Sequence, residues 1–324
     1  MPDGREMPEL SIIIVNWNSL AYLRDCLPSL YANSAGCDFE VVVVDNASTG
    51  DDAQQIAAEF PQVCLIRSEK NIGFARANNL GFERCSGKYV LFLNPDTKMI
   101  GPAIARMLER LKSLPDAGIV GCKLLNTDGT IQTSSVQRFP TILNQMLDIE
   151  FLRLRWHRWN FWGIAPLFTA NGSPVEVEVV SGACLMIRRD IFAQLGGFST
   201  AYFMYAEDVE LCYQTQRAGK KAYYVGDATV IHYGGGSSKR RGSNQWTAIM
   251  QRRALLLFCQ RTHGRAYAAA FRLAMGFVAL CRLAVFALLF PFRNNAYEKR
   301  ILHSAPSKWI GVLKWAVGLD RISN

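Results

Sequence analysis

The chain has 324 residues, half of them hydrophobic and 19% charged, which is enough to bury a full core and leave material for a second unit. The net charge of +9 would suit nucleic acid if it were evenly spread, but residues 1–235 hold 21 Lys and Arg against 25 Asp and Glu, whereas the last 89 hold 15 against 2. A near-neutral enzyme body with a basic C-terminal segment is expected, and a nucleic-acid partner is not. The nine cysteines are scattered without a C-x-x-C pair and read as reduced, mostly buried thiols. Met1 to Glu9 is polar and lacks the basic start and apolar stretch of a secretory leader, so the body is expected in the cytoplasm.

Short apolar runs rich in β-branched residues predict strands over Leu10 to Val15, Glu40 to Val44, Val63 to Ile66, Tyr89 to Leu93 and Ile119 to Leu124. Between them, helices are predicted over Leu20 to Tyr31, Asp52 to Glu59, Phe74 to Cys85 and Pro102 to Leu111. Alternation of this kind indicates a largely parallel α/β sheet. The runs Ile12 to Val15 and Val41 to Val44 are apolar throughout, so helices should cover both faces. Residues 150–162, EFLRLRWHRWNFW, form an aromatic and basic insert before a second block near Val175. Both an ordinary packed helix and an acceptor-side or membrane-facing flap remain open for it. Beyond Gly236 the pattern is helical to the end.

In open α/β sheets ligands bind outside the carboxyl ends of the strands. Here three such ends are polar: Asn16-Trp17-Asn18, Asp45-Asn46 and Asn94-Pro95-Asp96. The first lacks the G-x-G-x-x-G turn of a dinucleotide site, which disfavours an oxidoreductase. A carboxylate at Asp96 could hold Mg²⁺ or Mn²⁺ together with substrate phosphates, although N-P and P-D are also good turn formers. The segment Asn71-Ile72-Gly73-Phe74-Ala75-Arg76 sets a glycine turn at a helix start with an arginine one turn in, which suits a phosphate or a sugar ring as well as a plain surface cap.

The second block contains Val180-Ser181-Gly182-Ala183, a small-residue turn before a strand, and the tight turn Gly196-Gly197-Phe198. Next, Phe203-Met204-Tyr205-Ala206 leads into Glu207-Asp208, an acidic pair that opens an amphipathic helix. The helix dipole alone would favour acids there, so either carboxylate could be structural. His232 ends a strand before a glycine-rich loop carrying Lys239, Arg240 and Arg241, where metal or diphosphate contact is one reading and a satisfied strand-end histidine the other.

Together, IIIVNWNS, VVVVDNAS, NIGFARANN, LFLNPDT, VSGACLMIRR, GGF and VIHYGG, in this order over about Leu10 to Ser238, resemble the family-two glycosyltransferases of the rhamnosyltransferase-like branch. The resemblance implies a GT-A fold, a Rossmann-like, mostly parallel sheet flanked by helices, over residues 1–238, with a helical extension over 239–324. It implies a donor pocket for a nucleoside-diphosphate-sugar from Asn16, Asn18, Asp45, Asn71, Gly73, Arg76 and Asn94. The position of the first acid in the family's D-x-D element is Asn94 here, leaving Asp96 as the carboxylate ligand and His232 as its partner on the metal. Inverting transfer is implied, with Asp208 as base, Glu207 orienting the acceptor, and Arg240 helping to stabilise the diphosphate. The Q-x-x-R-W of processive synthases is absent after the acidic pair, favouring addition of one or a few sugars.

Residues 266–292 are the most apolar stretch, interrupted by Arg272 and Arg282. Its uninterrupted pieces are short for a span, and a central arginine costs roughly 2.5–3.5 kcal/mol on insertion scales. With Arg265 these arginines fall within about 100° on a helix, so a polar stripe and an in-plane helix on an anionic membrane surface are expected, beside packing on the body and true insertion. The cations Arg252, Arg253, Arg293, Lys299, Arg300, Lys308 and Lys314 would add attraction. A glycan or lipid-diphosphate-linked acceptor suits that position. The competing classes are a nucleotidyltransferase, which would want a glycine-rich basic loop after the first strand, and an inactive carbohydrate-binding scaffold, which would be expected to lose Asp96 or Asp208.

Overall fold

The computed structural model describes residues 7–169, 172–234, 244–289 and 296–320. They divide into two compact units. The first takes in most of the chain up to Ser237, and the second gathers the residues from Ser238 on together with Pro140–Leu152 and Met204–Ala206.

In the first unit, β1 (Leu10–Asn16) is buried along its whole length and pairs in parallel with β2 (Phe39–Asp45) on one side and β4 (Tyr89–Leu93) on the other. The strand β3 (Cys64–Arg67) continues the parallel set beyond β2. Three later strands extend the sheet: β6 (Ala117–Leu125) and β11 (Lys221–His232), parallel to each other, and β10 (Cys184–Arg188), antiparallel to both β4 and β6. The edges are finished by β5 (Thr97–Ile100) and β8 (Val175–Val177), both antiparallel to β11, and the sheet order is β3-β2-β1-β4-β10-β6-β11-β5. A small separate sheet pairs β7 (Val136–Gln137) with β9 (Val179–Val180). The parallel expectation thus holds for β1 to β4, and the reversed β10 makes the whole sheet mixed. Because Cys184 of β10 faces Leu93 of β4, the turn before β10 lies at the carboxyl edge of the parallel strands.

The helices α1 (Leu20–Ala32), α2 (Asp52–Glu59), α3 (Phe74–Phe82) and α4 (Ala103–Ser113) follow their strands as the apolar spacing requires. Ile12, Ile14, Leu91 and Leu93 are packed under Leu23, Leu27, Ile104 and Met107, each side chain contributing roughly 1.5–3 kcal/mol by burial. The helix α3 sits so close to the sheet that a Cβ on Gly81 would meet Ile13 at 2.6 Å, which sets the α3 N-terminus firmly at the strand ends. Short helices α5 (Ile142–Met146), α6 (Glu150–Arg155), α7 (Pro166–Thr169) and α8 (Arg189–Gln194) punctuate the second block. The insert is not an ordinary packed helix: α6 buries no residue, and Trp156 stacks on Trp159 with both indoles exposed. The helix α9 (Glu207–Arg217) precedes β11.

In the second unit, α10 (Asn244–His263), α11 (Arg265–Leu289) and α12 (Ala296–Ala316) pack around Ile249, Phe271, Met275, Trp309, Val312 and Trp315. Thr141 and Asn144 close a capping box on α5, whose Ile142 N–H donates to Tyr267 Oη of α11. The helix α11 runs unbroken through both arginines, and by length and composition Arg265–Leu288 is apolar enough to cross a membrane. Of the expected arginine stripe, Arg265 is exposed, whereas Arg272 and Arg282 face inward. Arg272 donates to the Trp315 carbonyl at 2.6 Å, and Arg282 donates to the Asp148 carbonyl and lies over the Trp309 ring. These contacts hold both guanidinium groups on the packed side, so the outer face is left to Leu273, Phe277, Leu280, Val285 and Leu288, all exposed. Arg293 and the side chains of Lys299 and Arg300 lie outside the described residues.

Candidate active site

At the ends of β1 and β2, Asn16 and Asp45 are register partners and both are buried. The Asn16 amide donates to Asp45 Oδ1 at 3.0 Å, to Ser48 Oγ at 3.0 Å and to Asp52 Oδ2 at 3.3 Å. Asn16 is fully buried, so its role is to orient Asp45 from behind, and its own Oδ1 has no hydrogen-bond partner. Asn18 adopts a left-handed φ of 52°, tolerable for asparagine, and its Oδ1 accepts from both the N–H and the hydroxyl of Thr49. One side chain that the sequence left unassigned, Asn46, ties β2 to the next segment. Its Oδ1 accepts from Ile72 N–H, and its Nδ2 donates to Asn71 Oδ1, which also accepts from Gly73 N–H. Gly73 has φ 86°, and a Cβ there would meet the Phe203 carbonyl oxygen at 2.5 Å, so the turn opening α3 admits glycine alone. Arg76 stands exposed on the first turn of α3.

After β4, Asn94 N–H donates to the Ala183 carbonyl, joining this strand end to the turn before β10. Asp96 is buried, and its Oδ1 lies 3.4 Å from His232 Nε2 at the end of β11. The imidazole is oriented by Gln132. That amide donates through Nε2 to the His232 carbonyl, which leaves Gln132 Oε1 to accept from His232 Nδ1–H at 3.0 Å. In the neutral ring Nε2 therefore carries a lone pair, and it approaches both Asn94 Nδ2, at 3.4 Å, and the Asp96 carboxylate. Two acceptors so close repel unless the ring is protonated or a cation joins them. Ligands sharing a cation of the Mg²⁺ type stand about 3 Å apart, so Asp96 and His232 fit a divalent metal, with Gln132 as the support behind the histidine. Among the described residues no group of three or more His, Cys, Asp and Glu gathers as a metal site. Arg240 and its loop lie outside the described residues.

The acidic pair sits at the first turn of α9. Asp208 Oδ2 accepts from Gly182 N–H at 2.8 Å, and Oδ1 accepts from Val209 N–H at 2.8 Å. Through Gly182 and the neighbouring Asn94–Ala183 bond, Asp208 belongs to the same sheet edge as Asn94. Gly182 packs closely on Asp208, and a Cβ there would stand 3.1 Å from Asp208 Cβ. Burial raises the Asp208 pKa, and the Gly182 and Val209 amides oppose that rise. Glu207 is buried more deeply, with Oε2 lacking a partner, and burial followed by the Asp208 charge pushes its pKa up to about 8. Burial thus raises both carboxyls, with the Asp208 charge adding to the rise at Glu207, while Asp208 alone keeps two donors that favour its charge. Tyr205 and Ala206, just before them, take left-handed φ values of 72° and 61°, a strain of order 1 kcal/mol each.

The sequence missed Gly182, Gln132, Asn46 and Ser48. The small-residue turn before β10 hinted at the first. Nothing local points to Gln132, whose relation to His232 is purely tertiary.

Asp45, the Asp96–His232 pair and Asp208 all lie at the carboxyl edge of one mixed sheet flanked by helices, the arrangement of a GT-A glycosyltransferase fold. The same fold occurs in a mannosyltransferase from Pyrobaculum calidifontis solved with GDP-Man and Mn²⁺, at a TM-score of 0.58 and 18% identity over 98% of this chain and 89% of that one. The profile described as Glycosyl transferase family 2 matches residues 11–196, and the chain belongs to that family. A second, Glycosyl transferase family group 2, matches residues 130–318. The chain is similar to the N-acetylglucosaminyl-diphospho-decaprenol L-rhamnosyltransferase of Mycobacterium tuberculosis, 28% identical over 71% of this chain and 78% of that protein. It is also similar to the rhamnosyltransferase WbbL of Escherichia coli K12, 26% identical over 68% and 82%. Family membership, with Asp96 and Asp208 both present, leaves the nucleotidyltransferase and inactive-scaffold readings unsupported.

Proposed function

We propose that the chain moves a sugar, with inversion, from a nucleoside-diphosphate-sugar to a hydroxyl of a glycan or lipid-diphosphate-linked acceptor in cell-envelope polysaccharide synthesis. The observation that carries the reading is the pair at the head of α9: Asp208, held by the Gly182 and Val209 N–H groups, beside the more deeply buried Glu207. Asp208 takes the hydroxyl proton as the acceptor oxygen bonds to the anomeric carbon, a contribution on the order of 10²–10⁴-fold. The anomeric C–O bond to the diphosphate breaks on the opposite side, and its electron pair leaves with the nucleoside diphosphate. Mg²⁺ or Mn²⁺ bound at Asp96 and His232 would supply Lewis-acid neutralisation of that charge. Asp45, oriented by Asn16 and Ser48, accepts from base or ribose hydroxyls, with Asn18, the Asn71 to Gly73 turn and Asn94 completing the donor side. Arg76 meets phosphate or sugar. The two rhamnosyltransferase relatives support rhamnose or another hexose as the donor sugar, and the mycobacterial one a lipid-diphosphate acceptor.

We place the enzyme in the cytoplasm, on the inner face of the cytoplasmic membrane. The outer face of α11 is apolar, yet its inner face is packed on α10 and α12, which carry Arg252, Arg253, Arg261 and Lys314. A spanning α11 would draw those cations into hydrocarbon at roughly 2.5–3.5 kcal/mol each, whereas an in-plane helix leaves them at the anionic surface. The test of the reaction is a donor screen by nucleoside diphosphate release with metal supplied. Release without any glycosylated product from every acceptor offered would sink the transfer reading.

A further inference from the structure

Three cations from three helices crowd one buried indole in the helical unit. The guanidinium carbons of Arg252 (α10) and Arg282 (α11) lie 5.4 Å and 4.3 Å from the Trp309 ring centroid, and Lys308 Nζ (α12) lies 5.2 Å from it. Their polar contacts are meagre for so much charge. Arg252 Nη1 reaches back to the Ala248 carbonyl of its own helix, its Nε is enclosed without a hydrogen-bond partner, and Arg282 donates to the Asp148 carbonyl. Among the described residues, Asp148 is the one carboxylate whose charge acts on all three. Burial, reinforced by mutual repulsion, lowers the pKa of Arg252 to about 10 and lowers that of Lys308, and burial lowers that of Arg282. Cation–π contact offsets only part of the cost of desolvating each cation, so this trio facing one carboxylate among the described residues is an unbalanced positive centre.

We infer that Arg252, Arg282 and Lys308 around Trp309 form a binding site for a phosphate or diphosphate group. Two guanidinium forks and an ammonium suit that chemistry, with the forks engaging oxygens in pairs and the lysine adding a point charge. A lipid headgroup and a free phosphate are the two sources of such a group. The inference is independent of the transfer reaction, and it rests on the membrane-surface reading only if the group belongs to a lipid.

The test uses the full chain in chelator, so that the Asp96–His232 end takes no metal-bound diphosphate. Inorganic pyrophosphate is titrated calorimetrically, and flotation is measured with phosphatidylglycerol and with phosphatidylcholine vesicles, for wild type, Lys308→Met and Lys308→Arg. Removing one of three repelling cations should raise the melting temperature while weakening pyrophosphate or phosphatidylglycerol binding at least tenfold, and arginine should restore binding. Loss of vesicle binding alone assigns the site to a lipid headgroup, and loss of pyrophosphate binding alone assigns it to a soluble or substrate phosphate. Unchanged affinity for both ligands in Lys308→Met, or a lowered melting temperature with unchanged affinity, overturns the inference. Turnover on a water-soluble acceptor, measured in parallel with metal present, reports on the transfer reaction separately.

Discussion

Replacing Asp208 by asparagine removes the proposed base while keeping its shape. The side chain then offers one carbonyl oxygen to two donors, so either Gly182 N–H or Val209 N–H, each now at 2.8 Å, loses its acceptor. That loss costs roughly 1.5–3 kcal/mol for a bond to a charged group. It is offset because burial already opposes the Asp208 charge and because Glu207 is freed from a like neighbour. Net stability should therefore move by less than about 2 kcal/mol. Turnover should fall by at least about 10²-fold, equivalent to about 2.7 kcal/mol in the barrier. Nucleoside diphosphate release measures the rate, calorimetric titration the donor affinity, and thermal unfolding the fold. Donor affinity should barely change, since the base acts in the transition state. Turnover within threefold of wild type, in a variant that melts normally, would refute the assignment and leave both acids as helix-end residues worth roughly 0.3–1 kcal/mol each.

Asp96→Ala should abolish activity with the fold intact, as should excess chelator on the wild type, restored by Mg²⁺ or Mn²⁺; full turnover in chelator would remove the metal from the scheme. Asp45→Ala should raise the donor dissociation constant more than it lowers turnover, because Asn16 and Ser48 hold that carboxylate at the nucleotide edge rather than near α9; an unchanged constant gives Asp45 another role. Glu207 has a folded pKa raised above its unfolded value, so its stabilising contribution is complete below about 4.5 and is lost as pH rises through about 8. Glu207→Gln cannot ionise, and its melting temperature should fall less than that of wild type between these limits; parallel profiles would contradict the burial argument. Alkaline carbonate or high salt should release the protein from membranes, and retention after both treatments would indicate that α11 spans.

Much of the first unit was legible because its central strands β1, β2 and β4 are buried on both faces and so read as unbroken apolar runs, with helix boundaries close to Leu20–Ala32, Asp52–Glu59 and Ala103–Ser113. The reversal of β10 was not legible, since a five-residue apolar strand carries no mark of direction. Strand-end polarity singled out Asn16, Asp45 and Asp96, but not that the Asn16 amide is spent on Asp45, because a hydrogen bond between neighbouring strands has no trace in local sequence. Arg272 and Arg282 misled for a related reason. Helical spacing set them on one face, and that face turned out to be the packed one, where the Trp315 carbonyl and the Trp309 ring replace water.

Adjacent acids at a helix start point about 100° apart, so a fold must choose which one meets the substrate, and spacing alone cannot reveal the choice. Here the choice is made by unfavourable local terms concentrated in four consecutive residues. Tyr205 and Ala206 are held left-handed, Glu207 buries an unpartnered carboxyl oxygen, and Asp208 is drawn close to the backbone amide of Gly182. Helix α9 could be capped without any of these costs by a serine or threonine ahead of it. Their coincidence is what the proposed catalytic role of Asp208 would require, geometry kept against stability. The same contrast separates this segment from the Asn46–Asn71–Gly73 turn, where every polar contact also serves the fold, and it explains why the proposed base rather than the proposed donor pocket is the part of the scheme most exposed to refutation by a single substitution.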